Sequence, residues 1–206
     1  MLRADVQQTC TTRAALFFIT VVAVVMPGGA ILALAAQPDS LPVPMASSRV
    51  SADRLASYSD QAVDWLEQYL RIDTTNPPGN EIRAAKFIKK ILDDEGIENQ
   101  MFEYQPGRAD VWARLPHTSA PAKRPLILLN HMDVVTSDAA HWRVPPFSGQ
   151  MLDGSIYGRG AQDMKNEGIA QLMAMVMAKR EHVSLSRDII FLAVSDGKQK
   201  APARTG

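Results

Sequence analysis

The run PLILLNHMDVV at residues 125–135, followed by HWRVPPFSGQMLDGSIYGRG at 141–160 and AQDMK at 161–165, decides how this chain reads. Pro125 to Leu129 is a short apolar run bounded by polar residues, the pattern of a buried strand. At its end stand His131 and Asp133. Further on, a glycine-punctuated turn, Gly158-Arg159-Gly160, presents Asp163 ahead of an apolar helix. In an α/β sheet, groups at the carboxyl ends of strands line the ligand crevice. An imidazole and two carboxylates gathered there are the parts of a zinc site with its supporting hydrogen bonds.

Each of these residues also has a plainer reading. His131 fits a core histidine satisfied by a backbone carbonyl, Asp133 fits a turn cap, and Asp163 fits the N-cap of the helix after it. Their order and spacing favour ligation for His131, since a neutral imidazole nitrogen is a good zinc donor. Arg159, between two glycines, reads as part of a tight turn. Gly154, Gly158 and Gly160 lack the third glycine and the preceding strand of a dinucleotide fingerprint. His117, His141 and His182 read as surface or loop residues.

The motifs carry a family resemblance. L-x-N-H-M-D-V-V, then W-x-x-x-P-F and D-G-x-I-Y-G-R-G-A-x-D-M-K, resembles the M20 family of zinc metallopeptidases and deacylases, from about Leu66 to Asp196. The resemblance implies a three-layer α/β zinc-peptidase-like catalytic domain with a mainly parallel sheet, and a pair of zinc ions. It gives His131 the role of a zinc ligand and Asp163 that of a carboxylate bridging the two ions, joined to the next residue by a cis peptide. Asp133 becomes the catalytic-site carboxylate that accepts the other ring N–H of His131. The implied substrates are small peptides or N-acyl amino acids.

After Asp196 the family pattern has an acidic pair, a general base and a further zinc ligand. Here those positions hold Gly197 and Lys198, and the text runs on as Gln199 to Gly206 without apolar pattern. The domain is therefore read as truncated before the acidic pair, with 197–206 an aberrant tail such as a frameshift would leave. The remaining ligands and the family's dimerisation domain are expected to be absent, and the chain to be inactive. With the sheet cut short, one flank is expected to be exposed and apolar. The alternative is a non-catalytic fragment or pseudo-enzyme with a binding role.

The rest of the sequence sets the boundaries. Its 206 residues are 46% hydrophobic, and 22 basic residues balance 22 acidic ones, so no electrostatic footprint for nucleic acid exists. The single cysteine, Cys10, excludes an internal disulfide and precedes the apolar segment, which gives a lipoprotein anchor no support. Residues 1–36 read as a signal peptide or a membrane anchor. Arg3 and Arg13 lead, Ala14 to Val25 is apolar, Pro27-Gly28-Gly29 breaks it, and Ala33-Leu34-Ala35 offers a small-x-small cleavage pattern. The product is then secreted or periplasmic, with a membrane contact only if the segment stays uncleaved. Residues 37–52 are a proline- and serine-bearing linker.

Within 53–196 the spacing predicts a first helix capped by Ser59, carrying Ala62, Val63, Trp65, Leu66 and Leu70. Arg71 to Asn80 reads as a proline-stiffened turn rather than ligands, with Asn80 capping a helix over 81–95 that stops at Gly96. Ile97–Tyr104 and Asp110–Leu115 read as a strand pair. A largely buried helix over 166–179 and a final apolar strand over 188–194 follow, with helices expected on both faces of the sheet.

Overall fold

The computed structural model describes residues 9–10, 50–119 and 123–196. The apolar segment Ala14 to Ala36, the linker as far as Arg49 and the tail from Gly197 lie outside these residues. Among the described residues no helix is long and apolar enough to cross a membrane.

Helix α1 (Ala52–Leu70) begins well before Ser59, the expected cap. Ser51 occupies the N-cap instead, and its hydroxyl accepts from the Arg54 amide at 3.4 Å. The reason is local: Ala52, Arg54, Leu55 and Ala56 are strong helix formers, so nothing stops the helix until Ser51. Leu55 is exposed, so the first turns carry no apolar stripe to announce them. Helix α2 (Glu81–Asp94) buries Ala84, Ala85, Ile88, Ile91 and Leu92. Asn80 sits at its N-cap position, but the side chain makes no capping hydrogen bond. Gly96, at φ +59°, supplies the left-handed stop.

Strands β2 (Glu98–Gln105) and β3 (Arg108–Leu115) form an antiparallel hairpin turning through Gly107. Strand β4 (Lys123–His131) leads through a short 3-10 turn (Ala139–His141) to β5 (Gln150–Leu152) and β6 (Ser155–Tyr157). Helix α3 (Lys165–Arg180) and strand β7 (Arg187–Val194) close the order. A two-residue strand, β1 (Thr9–Cys10), pairs antiparallel with β6 in a small second sheet.

The main sheet has the order β2-β3-β7-β4. The α/β class stands, but the sheet is mixed rather than mainly parallel. Only β4 and β7 run parallel, because only they are joined by a helical crossover, whereas the short turn at Gly107 forces an antiparallel pair. The apolar run at Pro125 also departs from its reading as a buried, central strand. β4 is an edge strand, with Ile127 58% and Leu129 54% exposed. Pro125, which has no amide to donate, falls where the β4–β7 register shifts between Lys123 and Leu126.

Pairing fixes which side chains share a face. Val111 pairs with Ala193, and Asn130 also pairs with Ala193, so these residues look the same way. They join Phe191 and Ala113 beneath all three helices, whose buried residues form one core with them. Trp112, Leu192 and Leu129 are level with one another on the opposite face. Among the described residues the helices thus pack on one face, and the expectation of helices on both is corrected. The β4 edge exposes Leu126, Ile127 and Leu129, and the uncovered face sets Phe102 and Trp112 among Glu98, Gln100 and Arg114.

Two outcomes follow. Replacing Ile127 and Leu129 by lysine should suppress concentration-dependent aggregation in light scattering while shifting stability by only about 0.5 kcal/mol. Unchanged aggregation would show that this surface is not the sticky one. At the start of β7, Asp188 accepts from the His117 amide at 2.8 Å and from Arg114 Nε at 2.9 Å. These bonds, the amide first, hold its carboxyl at about 2, below the ordinary 3.8. A depressed carboxylate stabilises the fold above its ordinary value and loses that contribution as pH falls toward 2. Asp188→Asn should therefore flatten the acid limb of a denaturation curve between those values, and an unchanged limb would count against the bond's role.

Candidate metal centre

His131 is the last residue of β4 and lies level with Val194 at the end of β7. Beyond it the chain is stitched to the turn that follows α1. Thr74 Oγ1 donates to Met132 O at 2.7 Å, the Val134 amide to Thr74 O at 3.0 Å, and the Asn76 amide to Val134 O at 2.9 Å. Asp133, between these anchors, is completely buried.

The imidazole stands between two aspartates. Its Nδ1 is 3.0 Å from the Asp133 main-chain oxygen and 3.2 Å from Asp133 Oδ1, and its Nε2 is 3.0 Å from Asp163 Oδ1. A carbonyl oxygen only accepts, so Nδ1 must carry a proton. The ring is then held partly by the main chain and not by the Asp133 carboxylate alone. With Nδ1 as donor, the lone pair of a neutral ring lies on Nε2, facing a carboxylate oxygen. Two acceptors so close require a cation, either a ring proton or a metal. The donor set, one imidazole nitrogen and one carboxylate oxygen, suits zinc. It fits part of a zinc shell: among the described residues no group of three or more His, Cys, Asp or Glu side chains is arranged to hold a metal ion.

Asp163 does not cap α3. The N-cap residue is Met164, and it makes no side-chain capping bond. The Asp163–Met164 peptide is cis, as the resemblance implied. Gly160 is what lets the turn reach this place: its φ is +89°, and a Cβ there would lie 2.7 Å from Val134 Cγ1. Arg159 lies over the Trp142 ring, 5.0 Å from its centroid, and burial pushes its pKa down. His117 bonds Asp188, His141 pairs with Asp138 on the surface, and His182 is exposed, so none of these joins the site.

Four side chains that the sequence reading left without a role support this end of the sheet. Lys165, the last residue of the AQDMK string, is completely buried. Its Nζ donates to Tyr69 O at 3.1 Å and Ile72 O at 2.6 Å, 4.7 Å from the centre of the Tyr69 ring. It thereby satisfies carbonyls at the end of α1. Burial pulls its pKa down to about 7. Arg108 Nε pairs with the buried Glu81 Oε2 at 2.9 Å, and Arg108 Nη2 donates to Ser195 O at 2.6 Å. Burial raises the Glu81 pKa, and the guanidinium opposes that rise. Asp110 Oδ1 accepts from the Ser195 amide at 2.8 Å, so the exit of β7 is pinned on both sides. A lysine after a candidate ligand and a glutamate after Pro-Pro-Gly-Asn were visible signals, but their partners are distant in sequence.

A histidine and an aspartate thus converge at the end of a parallel strand of an α/β sheet. Residues 127–196 match the model of Peptidase family M20/M25/M40. Over 136 residues the chain is 36% identical to Aminoacylase-1 of Sus scrofa, covering 66% of this chain and 33% of that protein. Over 123 residues it is 34% identical to the N-formyl-4-amino-5-aminomethyl-2-methylpyrimidine deformylase of Halalkalibacterium halodurans, covering 59% and 29%. Its structure is similar to an M20 family metallo-carboxypeptidase from Sulfolobus solfataricus, with a TM-score of 0.57 and 26% identity over 66% of this chain and 31% of that one. Human carnosine dipeptidase 1 shares the fold, with a TM-score of 0.57 and 22% identity over 74% and 35%. The chain is thus related to the M20 family of hydrolases, as its motifs indicated. It spans about a third of the length of the curated relatives it matches.

Lys165→Met keeps the aliphatic stem and removes the donor. It should leave the Ile72 carbonyl without its donor, at about 1–3 kcal/mol, while Tyr69 O keeps the Ile72 amide at 3.2 Å, and lower the urea midpoint accordingly. An unchanged midpoint would mean that the ammonium does not hold α1 to α3.

Proposed function

We propose that this chain carries part of the zinc site of a hydrolase acting on peptide or related amide bonds in small peptides or N-acyl amino acids. The observation that carries the reading is the approach of His131 Nε2 to Asp163 Oδ1 at 3.0 Å with Nδ1 fixed as a donor. The names of the relatives, an aminoacylase, a deformylase and a metallo-carboxypeptidase, agree with amide cleavage assisted by a metal. His131 and Asp163 are the proposed ligands, with Asp163 placed by the resemblance between two ions, and Asp133 holds the His131 ring. Zinc held there supplies Lewis-acid polarisation of the amide carbonyl and of the attacking water.

Two protein donors fill only half of a tetrahedral shell. Gly197 and Lys198 offer neither a proton acceptor nor a ligand where the family pattern has its acidic pair. We therefore propose that the 206-residue chain alone binds zinc weakly and does not turn over. A non-catalytic binding role is the second reading, favoured by the same two residues and by the exposed apolar residues of the β4 edge. The apolar run from Ala14 to Ala36 supports a secreted or periplasmic location, membrane-attached if the segment is retained.

Zinc uptake by the purified chain, measured by equilibrium dialysis, should be weak and should disappear in His131→Ala. Equal uptake by that variant would sink the metal assignment. With added zinc, the chain should release no amino acid from dipeptides or N-acetyl amino acids above the blank. Turnover that His131→Ala abolishes would overturn the proposed inactivity.

A further inference from the structure

The turn from Arg71 to Asn80 reads in sequence as a stiff connection, yet it supplies a side chain to the site. Asn76 Nδ2 donates to Asp133 Oδ2 at 3.2 Å. A carboxylate only accepts, so it is the amide nitrogen that faces Asp133. The main chain sets this contact: the Asn76 amide donates to Val134 O at 2.9 Å, and Thr75 bridges Val134 in parallel. Asn76 therefore cannot drift along the strand end.

The other oxygen of the same carboxylate, Asp133 Oδ1, is the one 3.2 Å from His131 Nδ1. The Asn76 amide at Oδ2 and the ring nitrogen beside Oδ1 restrict rotation of this carboxylate, while the main-chain oxygen of Asp133, 3.0 Å from Nδ1, shares the ring N–H. Asp133 is completely buried, so its carboxyl oxygens depend on partners within the fold, and the Asn76 amide is one of them. We propose that Asn76 is a positioning residue for His131, acting through Asp133: it locks the carboxylate that holds Nδ1 and so keeps Nε2 aimed toward Asp163. The inference rests on the metal-site reading for its purpose, but its geometry is independent of any metal.

The experiment uses the full chain as wild type, Asn76→Ala, Asp133→Ala and the double variant, with two readouts. In the metal-free chain, long-range proton–nitrogen NMR reads which ring nitrogen of His131 bears the proton, assigned by comparison with His131→Ala. Asn76→Ala should raise the Nε2–H form at the expense of Nδ1–H. Zinc affinity, by competition with a chromophoric chelator, should fall about tenfold in Asn76→Ala. It should fall no further when Asn76→Ala is added to Asp133→Ala, because the two act in one chain. A purely structural role would lower the melting temperature without this coupling and without moving the ring proton. If Asp133→Ala fails to fold, Asp133→Asn takes its place in the cycle. Identical His131 nitrogen shifts in wild type and Asn76→Ala, or additive losses of affinity, would overturn the proposal. If the wild-type chain takes up no zinc, the metal reading fails and the ring-proton readout alone decides the role of Asn76.

Discussion

The parallel pairing of β4 with β7 is the constraint from which the rest follows. Two parallel neighbours cannot be joined by a tight turn, so the chain must leave the carboxyl end of β4 and return along a helix. Helix α3 is that return. Its first turn consequently lies at the same end of the sheet as His131, and the residues just before it, including Asp163, arrive beside the imidazole. The positive end of the α3 dipole points the same way, which favours carboxylates at that end. The short strands β5 and β6 and the Gly158-Arg159-Gly160 turn occupy the connection without altering this logic.

What makes this end of the sheet unusual is the number of ionisable groups that it buries. Lys165, Glu81, Arg108 and Asp133 are all out of solvent within a small part of the fold. An ion taken from water into the interior costs several kcal/mol even after relaxation, far above the ~1 kcal/mol net value of an ordinary hydrogen bond. Such groups persist only where partners are fixed. Lys165 has two carbonyls and a ring face, Arg108 has Glu81 and Ser195 O, and Asp133 has Asn76 beside the His131 ring. The partners come from α1, the turn after it, α2, β3, β4 and the residue that follows β7. The same bonds that make burial tolerable therefore fix the relative placement of elements around His131.

This accounts for what could and could not be read in the sequence. Helix α2 and its Gly96 stop, the β2–β3 hairpin, α3 and the pairing of β7 with the apolar run were legible because each is written in local periodicity or turn chemistry. His131 and Asp163 were legible as a motif. The edge position of β4 was not, because Leu126 to Leu129 is apolar whichever side its neighbours occupy. The mixed sheet was hidden for a related reason: the direction of β3 against β7 depends on how two distant segments meet. Ser51 was overlooked as a cap because the exposed first turns of α1 carry no apolar stripe. Asn76 was assigned to a turn, and the turn is real, but its second function exists only through contact with Val134 and Asp133.

The geometry also separates two tasks that a motif runs together. One is to present a nitrogen lone pair in a fixed direction, and the other is to complete a coordination shell. The first rests on groups close at hand: Nδ1 lies 3.0 Å from the Asp133 carbonyl oxygen and 3.2 Å from its carboxylate, and the strand register sets the position of the ring. The second is not met among the described residues. Orientation can be secured by main-chain bonds close in sequence, because residues 73–76 and 131–134 are stitched side by side and carry their side chains with them. A full shell needs four donors brought from separate elements, each with its own loop to close and its own entropy cost. A scaffold can therefore hold an imidazole in a fixed direction without bringing a full shell together among the described residues, and the placement of His131 is no measure of catalytic competence.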